Sequence, residues 1–169
     1  MAISNDEFRA ALSRFPSGVT VVTTKDSEGA FHGITVSAFC SLSLDPPLVL
    51  ICIEKSAGSH DALYEAKAFV VNILSSTQID LSEQFAALMP DKFNGVSYRL
   101  GIEGMPVLEG VVASLECRLK QVCDGGDHTI FIGSVENVSI NDGLPLVYSQ
   151  SAYWTISEKQ LDSDFPLFE

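Results

Sequence analysis

Six consecutive residues, Val19-Thr20-Val21-Val22-Thr23-Thr24, are all β-branched. Such side chains lose χ1 freedom against a helical turn but pack well on a pleated surface, so this run specifies a strand. More extended runs follow it. Lys25-Asp26-Ser27-Glu28-Gly29 reads as a turn, and Phe31 to Ser37 as the return arm of a hairpin. Leu48 to Ile53 is apolar on both faces, as a central strand would be, and Phe69 to Leu74 reads as a second buried strand. Val111 to Val122 alternates, with Ala113, Leu115, Cys117 and Leu119 on one face and Ser114, Glu116, Arg118 and Lys120 on the other. Thr129 to Gly133 and Glu136 to Ile140 form one long strand, and Leu146 to Tyr148 a last one.

Helical signals are fewer. Ser4 and Glu7 make a capping-box pair, and Phe8, Ala11, Leu12 and Phe15 follow the i, i+3, i+4, i+7 spacing until Pro16-Ser17-Gly18 stops them. A short helix is expected after His60-Asp61 with Leu63 and Tyr64 inward. Another is expected over Thr77 to Met89, with Ile79, Leu81, Phe85 and Leu88 on its apolar side. Lys92 to Met105 reads as a functional loop with a short extended piece. Six or so strands with irregularly placed helices predict a mostly β chain, an antiparallel barrel with peripheral helices. A doubly wound parallel sheet fits poorly, because no Gly-x-Gly-x-x-Gly follows the first strand.

A chain of 169 residues is one domain on length, with 46% hydrophobic residues to build its core. Only 19% of residues are charged, and 22 acids against 10 Lys and Arg give a net −12. That field repels nucleic acid and anionic lipid, so neither is expected as a partner, and any phosphate-bearing ligand must find local cations and backbone N–H groups. No apolar run reaches the roughly 18 residues of a membrane span, and the acidic start is unlike a secretory signal, so a cytoplasmic protein is expected. Cys40, Cys52, Cys117 and Cys123 show no Cys-x-x-Cys spacing and read as reduced thiols packed as small hydrophobes. Three scattered histidines offer no metal site.

Four segments carry candidate chemistry. In Gly33 to Pro47, the small hydroxyl residues Thr35, Ser37, Ser41 and Ser43 precede a double proline. They allow a flat ligand close to the backbone and offer it hydroxyls, or they form a Ser/Thr-rich edge strand whose hydroxyls cap a turn. In Ile53 to Ser59 the chain leaves a strand into a Gly/Ser loop where Lys55 is either a phosphate anchor or a solvated loop lysine. In Gly125-Gly126-Asp127-His128-Thr129, Asp127 can cap a bend or orient the His128 imidazole, which is otherwise a structural histidine. In Lys92-Phe93-Asn94-Gly95, Phe93 reads as a hydrophobic lid over a core edge. No nucleophile elbow or carboxylate pair is present, and residues alone lead to a small-molecule-binding barrel.

Taken together, these segments resemble the flavin reductase family of the FMN-binding split barrel, in particular the small reductase components of two-component flavin-dependent monooxygenases. The matching pieces are Phe15 to Thr24, Gly33 to Pro47, Phe69 to Leu74, Lys92 to Gly95, Gly126 to Gly133 and Pro145 to Tyr148, in order from about residue 8 to about 155. The resemblance implies a single antiparallel Greek-key split barrel spanning 1–169, with a core over about 8–155 and a C-terminal tail over 156–169. It implies a homodimer that binds FMN or FAD, takes a hydride from NADH or NADPH, and supplies reduced flavin to a partner monooxygenase. NADH is the expected donor, since no arginine pair marks a 2′-phosphate site. Carried onto this chain, Thr35, Val36, Ser37 and Ala38 would line the isoalloxazine, and Ser41, Ser43, Lys55 and Ser56 would hold the ribityl phosphate, with Leu42 and Ile53 completing the cofactor set. His128 would stand beside the nicotinamide as the catalytic residue, Phe93 would cover the flavin or its adenosine part, and Tyr148 would face the far side of the ring. Two readings compete: a flavoprotein that keeps its flavin for electron transfer, and a non-catalytic flavin-binding barrel.

Overall fold

The computed structural model describes residues 3–157. Along the chain run α1 (Asn5–Leu12), β1 (Ser17–Gly18), β2 (Thr20–Lys25), β3 (Phe31–Val36), β4 (Phe39–Leu44), β5 (Pro47–Glu54), α2 (His60–Glu65), β6 (Ala68–Ile73) and α3 (Ile79–Ala86). Then come β7 (Tyr98–Leu100), a 3-10 turn (Ile102–Gly104), β8 (Pro106–Leu108), β9 (Ala113–Gly125), β10 (His128–Ile140), β11 (Val147–Ser149) and β12 (Ala152–Trp154). Most of the expected C-terminal tail, residues 158–169, lies outside the described residues.

The β-branched run becomes β2, which pairs antiparallel with β3 on one side and with β6 on the other. Seven strands form one antiparallel sheet in the order β3-β2-β6-β9-β10-β5-β4. Its two edge strands, β3 and β4, are consecutive in the chain, joined only by Ser37-Ala38. The Ala38 carbonyl accepts from the Cys52 N–H at 3.0 Å, so the link crosses the gap between the edges without a ladder between them. This is a sheet rolled into a barrel and left split at one seam.

The barrel interior holds Val22, Val36, Val49, Ile51, Ile53, Leu63, Phe69, Val71, Cys117 and Phe131. Outside β2 and β6 a second cluster gathers Val19, Val21, Leu74, Phe85, Leu108, Val111 and Leu146, so these two strands are covered on both faces. Full burial of each large apolar side chain contributes about 1.5–3 kcal/mol. Two close approaches require glycine. A Cβ on Gly33 would collide with the Phe85 ring, so glycine lets α3 sit on β3, and a Cβ on Gly133 would meet the Phe69 ring and Cys117.

Several expectations are corrected. The described residues hold twelve strands rather than six or so, because β1, β4, β7, β8 and β12 are short or irregular. Within the hydroxyl-rich segment Thr35 lies on β3, Ser37 in the link, and Ser41 and Ser43 on β4, an edge strand with a register shift between them. Tyr64 faces outward, because a six-residue helix covers the barrel with only His60, Ala62 and Leu63. Leu88 is fully exposed, since α3 ends at Ala86, where Lys92 Nζ donates to the Phe85 carbonyl. Ser114 and Glu116, assigned to an outer polar face of β9, are buried beneath the segment carrying β7 and β8. All four cysteines are free, but Cys40 is exposed rather than packed. Burial pushes the Cys117 thiol up to about 12, with the nearby Glu116 and Glu136 charges adding to it. The capping box of α1 forms as read, yet no residue of the helix is buried.

Candidate functional site

Strand register brings separated segments to one rim of the barrel. The β5–β10 ladder sets His128 opposite Glu54, and β1 pairs with β11 so that Ser17 lies opposite Tyr148. Ser37 arrives from the seam. Above them lies α1, whose Ser13 carbonyl accepts from the Gln150 N–H at 2.8 Å and the Ser149 hydroxyl at 3.2 Å. These elements enclose a cavity of about 630 Å³. Phe8, Leu12 and Phe15 form its apolar wall, with Arg9 beside them, while Ser37, Glu54, Asp127, His128 and Tyr148 line the barrel side. That volume lies within the roughly 300–1,000 Å³ of small-molecule sites.

A smaller cavity of about 190 Å³ shares Ser37 and Tyr148 and adds Thr35, Ser82 and Tyr153. Its polar groups are largely committed. The Thr35 hydroxyl donates to the Ser82 carbonyl at 2.7 Å, and the Tyr153 hydroxyl donates to Ser82 Oγ at 2.9 Å. The Tyr148 and Tyr153 rings meet edge to face at 5.2 Å, which fixes the Tyr148 ring at the border of both cavities.

Two charged pairs stand at the rim. His128 Nδ1 is 2.7 Å from Asp127 Oδ1, and this hydrogen bond, with the imidazole charge, holds the Asp127 carboxyl below its usual range. Lys55 Nζ lies 2.5 Å from Asp124 Oδ1 and 2.6 Å from the Gly126 carbonyl, while its own N–H donates to the Asp127 carbonyl at 2.9 Å. Hydrogen bonds from Lys55 and the Gly126 backbone, reinforced by the lysine charge, lower the Asp124 carboxyl. The Gly-Gly turn is therefore tied to the exit of β5.

Of the sequence-predicted residues, Ser37, His128 and Tyr148 share the large cavity and Thr35 joins through the small one. Ala38 is exposed in the seam link. Val36 and Ile53 turn their side chains into the barrel core, leaving only backbone for a ligand. Ser41, Leu42 and Ser43 sit on β4 and line neither cavity. Lys55 and Ser56 lie just beyond the rim, with the Ser56 hydroxyl donating to Glu54 Oε1 at 2.6 Å. Phe93 packs among Phe31, Phe85 and Tyr98 at ring separations of 5.6, 5.1 and 5.7 Å, the core-edge position of its first reading. The α1 wall and Arg9 escaped the sequence reading. Their signal is present in the apolar stripe Phe8-Leu12-Phe15, which the sequence reading uses only as evidence of a helix.

Residues 12–157 match the sequence profile of the Flavin reductase like domain. The chain belongs to this family. Its enzyme class is that of the family, NAD(P)H:flavin oxidoreductase. A flavin reductase of Pseudomonas putida is 40% identical over 153 residues, covering 90% of each protein. The reductase subunit of a flavin-dependent monooxygenase from Mycobacterium tuberculosis is 40% identical over 156 residues, covering 90% of this chain and 83% of that one. A relative from Rhizobium meliloti is 41% identical over 150 residues, which are 87% of this chain but 47% of that protein, so the chain spans about half its length. Among solved structures, the NADH:FAD oxidoreductase of Streptomyces globisporus, in complex with NAD and FAD fragments, superposes with a TM-score of 0.86. It is 35% identical, covering 97% of this chain and all of that one. Among the described residues no helix is long and apolar enough to cross a membrane.

Proposed function

We propose that this chain, as a cytoplasmic homodimer, reduces FMN or FAD at the expense of NADH and releases the reduced flavin to a partner oxygenase. The reading rests on one observation: the cavity of about 630 Å³ brings Ser37, His128 and Tyr148, three residues from distant segments, to one rim. The residues present fit a flavin. The seam at Ser37-Ala38 exposes backbone between two strand edges, where small side chains admit a flat ring, and Tyr148 offers an aromatic edge held by Tyr153. When bound, the flavin supplies the hydride acceptor that the side chains themselves lack.

The chain's part is placement. Asp127 holds the His128 imidazole at one nitrogen, fixing the orientation of the ring that borders the cavity. The Thr35 hydroxyl, bound to the Ser82 carbonyl, locks the end of β3 against α3 and so steadies the seam. Phe8, Leu12 and Phe15 give the α1 side of the cavity an apolar lining. Orientation of two rings is the main requirement of hydride transfer, which accounts for a site without a nucleophile or a carboxylate pair.

The test crosses FMN and FAD with NADH and NADPH in an anaerobic absorbance assay, with His128→Ala alongside the parent chain. NADH oxidation coupled to flavin bleaching is expected, with kcat/KM for NADH above that for NADPH. His128→Ala is expected to lower kcat/KM for NADH by roughly tenfold, the scale of one lost positioning contact. A chain that binds flavin but oxidises neither nicotinamide would leave a binding barrel. An unchanged His128→Ala would remove the histidine from the nicotinamide site.

A further inference from the structure

The proposed ligands all carry phosphate, yet the chain has a net charge of −12. Among the described residues, five of the nine Lys and Arg side chains are already engaged. Lys25 Nζ donates to the Glu103 carbonyl, Lys55 to Asp124 and Gly126, and Lys92 to the Phe85 carbonyl. Arg99 is paired with Glu116, and Arg118 with Glu103 and Glu136. Among the described residues, the four cations whose side chains have no such partner are Arg9, Arg14, Lys67 and Lys120. Of these, Arg9 alone lines the 630 Å³ cavity.

We propose that Arg9 seats a phosphate of the nucleotide bound in this cavity, and so sets which way round the nucleotide lies. The inference rests on the flavin reductase reading and goes beyond it by assigning the anion site to α1. Arg9 lies next to Phe8 and one turn before Leu12 and Ser13, so guanidinium and apolar wall share one side of the helix. The helix is fastened to the barrel immediately afterwards, where the Ser13 carbonyl accepts from Gln150 and Ser149. On the barrel side the cavity is lined by the carboxylates Glu54 and Asp127, which repel a phosphate. The charges are thus divided between the walls. A phosphate is drawn to α1, and the uncharged ring end of the same molecule is left facing Ser37 and His128. A planar guanidinium with five donors suits a phosphate ester or pyrophosphate, and none of its donors is used by another side chain described here.

The phosphate belongs either to the flavin or to the nicotinamide dinucleotide, and phosphate-free riboflavin separates the two. Equilibrium titrations of FMN and riboflavin by fluorescence quenching, and the KM for NADH with riboflavin as acceptor, are measured for the parent chain, Arg9→Gln and Arg9→Lys. Arg9→Gln is expected to weaken FMN binding or raise the NADH KM by about threefold to tenfold, with Arg9→Lys in between and the effect shrinking at high salt. Riboflavin affinity is expected to stay within about twofold. Loss confined to FMN assigns the flavin phosphate, and loss confined to the NADH KM assigns the dinucleotide. Equal affinities in both arms, or an equal loss for riboflavin, overturn the anion site. A parent chain that binds FMN but never oxidises NADH overturns the functional reading instead, because the binding arm still reports on Arg9.

Discussion

At the exit of β5 one carboxylate decides how available a lysine is. Lys55 Nζ is held by Asp124 and the Gly126 carbonyl, although 43% of the Lys55 and 78% of the Asp124 side-chain surface is exposed. Exposed pairs are worth about 0.2–1 kcal/mol, so an incoming phosphate can compete for the ammonium. If Lys55 anchors the flavin phosphate, Asp124→Asn is expected to tighten FMN binding by about twofold to threefold and leave riboflavin unchanged. In the Lys55→Ala background the same change is expected to do nothing. Fluorescence titration reads both, and an Asp124→Asn protein with parental FMN affinity would remove Lys55 from the phosphate site. Lys55 was legible because a lone lysine in a Gly/Ser loop stands out in an acidic chain. Its partner was not, since Asp124 is 69 positions away and reaches it only through the β5–β10–β9 ladders. Arg9 was hidden for the opposite reason, lying inside a clear helical pattern that marks an element but not what the element faces.

Among elements, β9 shows where periodicity stops being informative. The alternation over Val111 to Val122 correctly identified a strand, but not what covers its polar face. That cover comes from the loop segment carrying β7 and β8, which has no strong sequence pattern of its own. Beneath it, Glu116 accepts from the Ile102 N–H at 2.7 Å, Arg99 Nη2 at 2.9 Å and Asn137 Nδ2 at 3.1 Å. Burial alone would raise its carboxyl. The Ile102 and Arg99 hydrogen bonds, the Arg99 charge and the Asn137 contact outweigh burial and hold it below the ordinary value. A carboxyl lowered on folding stabilises the fold above its unfolded pKa, and that contribution fades as pH falls through the folded value. Glu116→Gln is therefore expected to cost about 1–3 kcal/mol at neutral pH. The gap from the parent should narrow as pH falls below about 4.5, the ordinary glutamate value. Urea unfolding at pH 7 and pH 4 measures it, and a gap that is constant or widens in acid would contradict the clamp.

For the whole molecule, the barrel was legible because its strands announce themselves by β-branched and alternating runs. Its split came only through the family resemblance and not from strand patterns, because the decisive fact is that two consecutive strands end on opposite edges of the sheet. That arrangement leaves β4 as an unpaired edge, and unpaired edges invite pairing or cover. Along β4, Cys40, Leu42 and Leu44 are all exposed, Leu44 at 94%, with Leu42 at the register shift between Ser41 and Ser43. A stripe of exposed apolar residues running along a free edge rather than on one face, in a chain with only 19% charged residues, is the surface the proposed homodimer would cover. Sedimentation of the parent chain is then expected to give twice the 18.2 kDa chain mass. Because neither leucine belongs to the core, Leu42→Asp with Leu44→Asp is expected to give folded monomers with parental circular dichroism. If the second subunit completes the pocket, as the seam beside β4 suggests, the same variant loses flavin affinity as it dissociates. A parent chain that sediments as a monomer at micromolar concentration would overturn the dimer. A double variant that remains dimeric would move the interface away from β4 and leave the stripe to another partner.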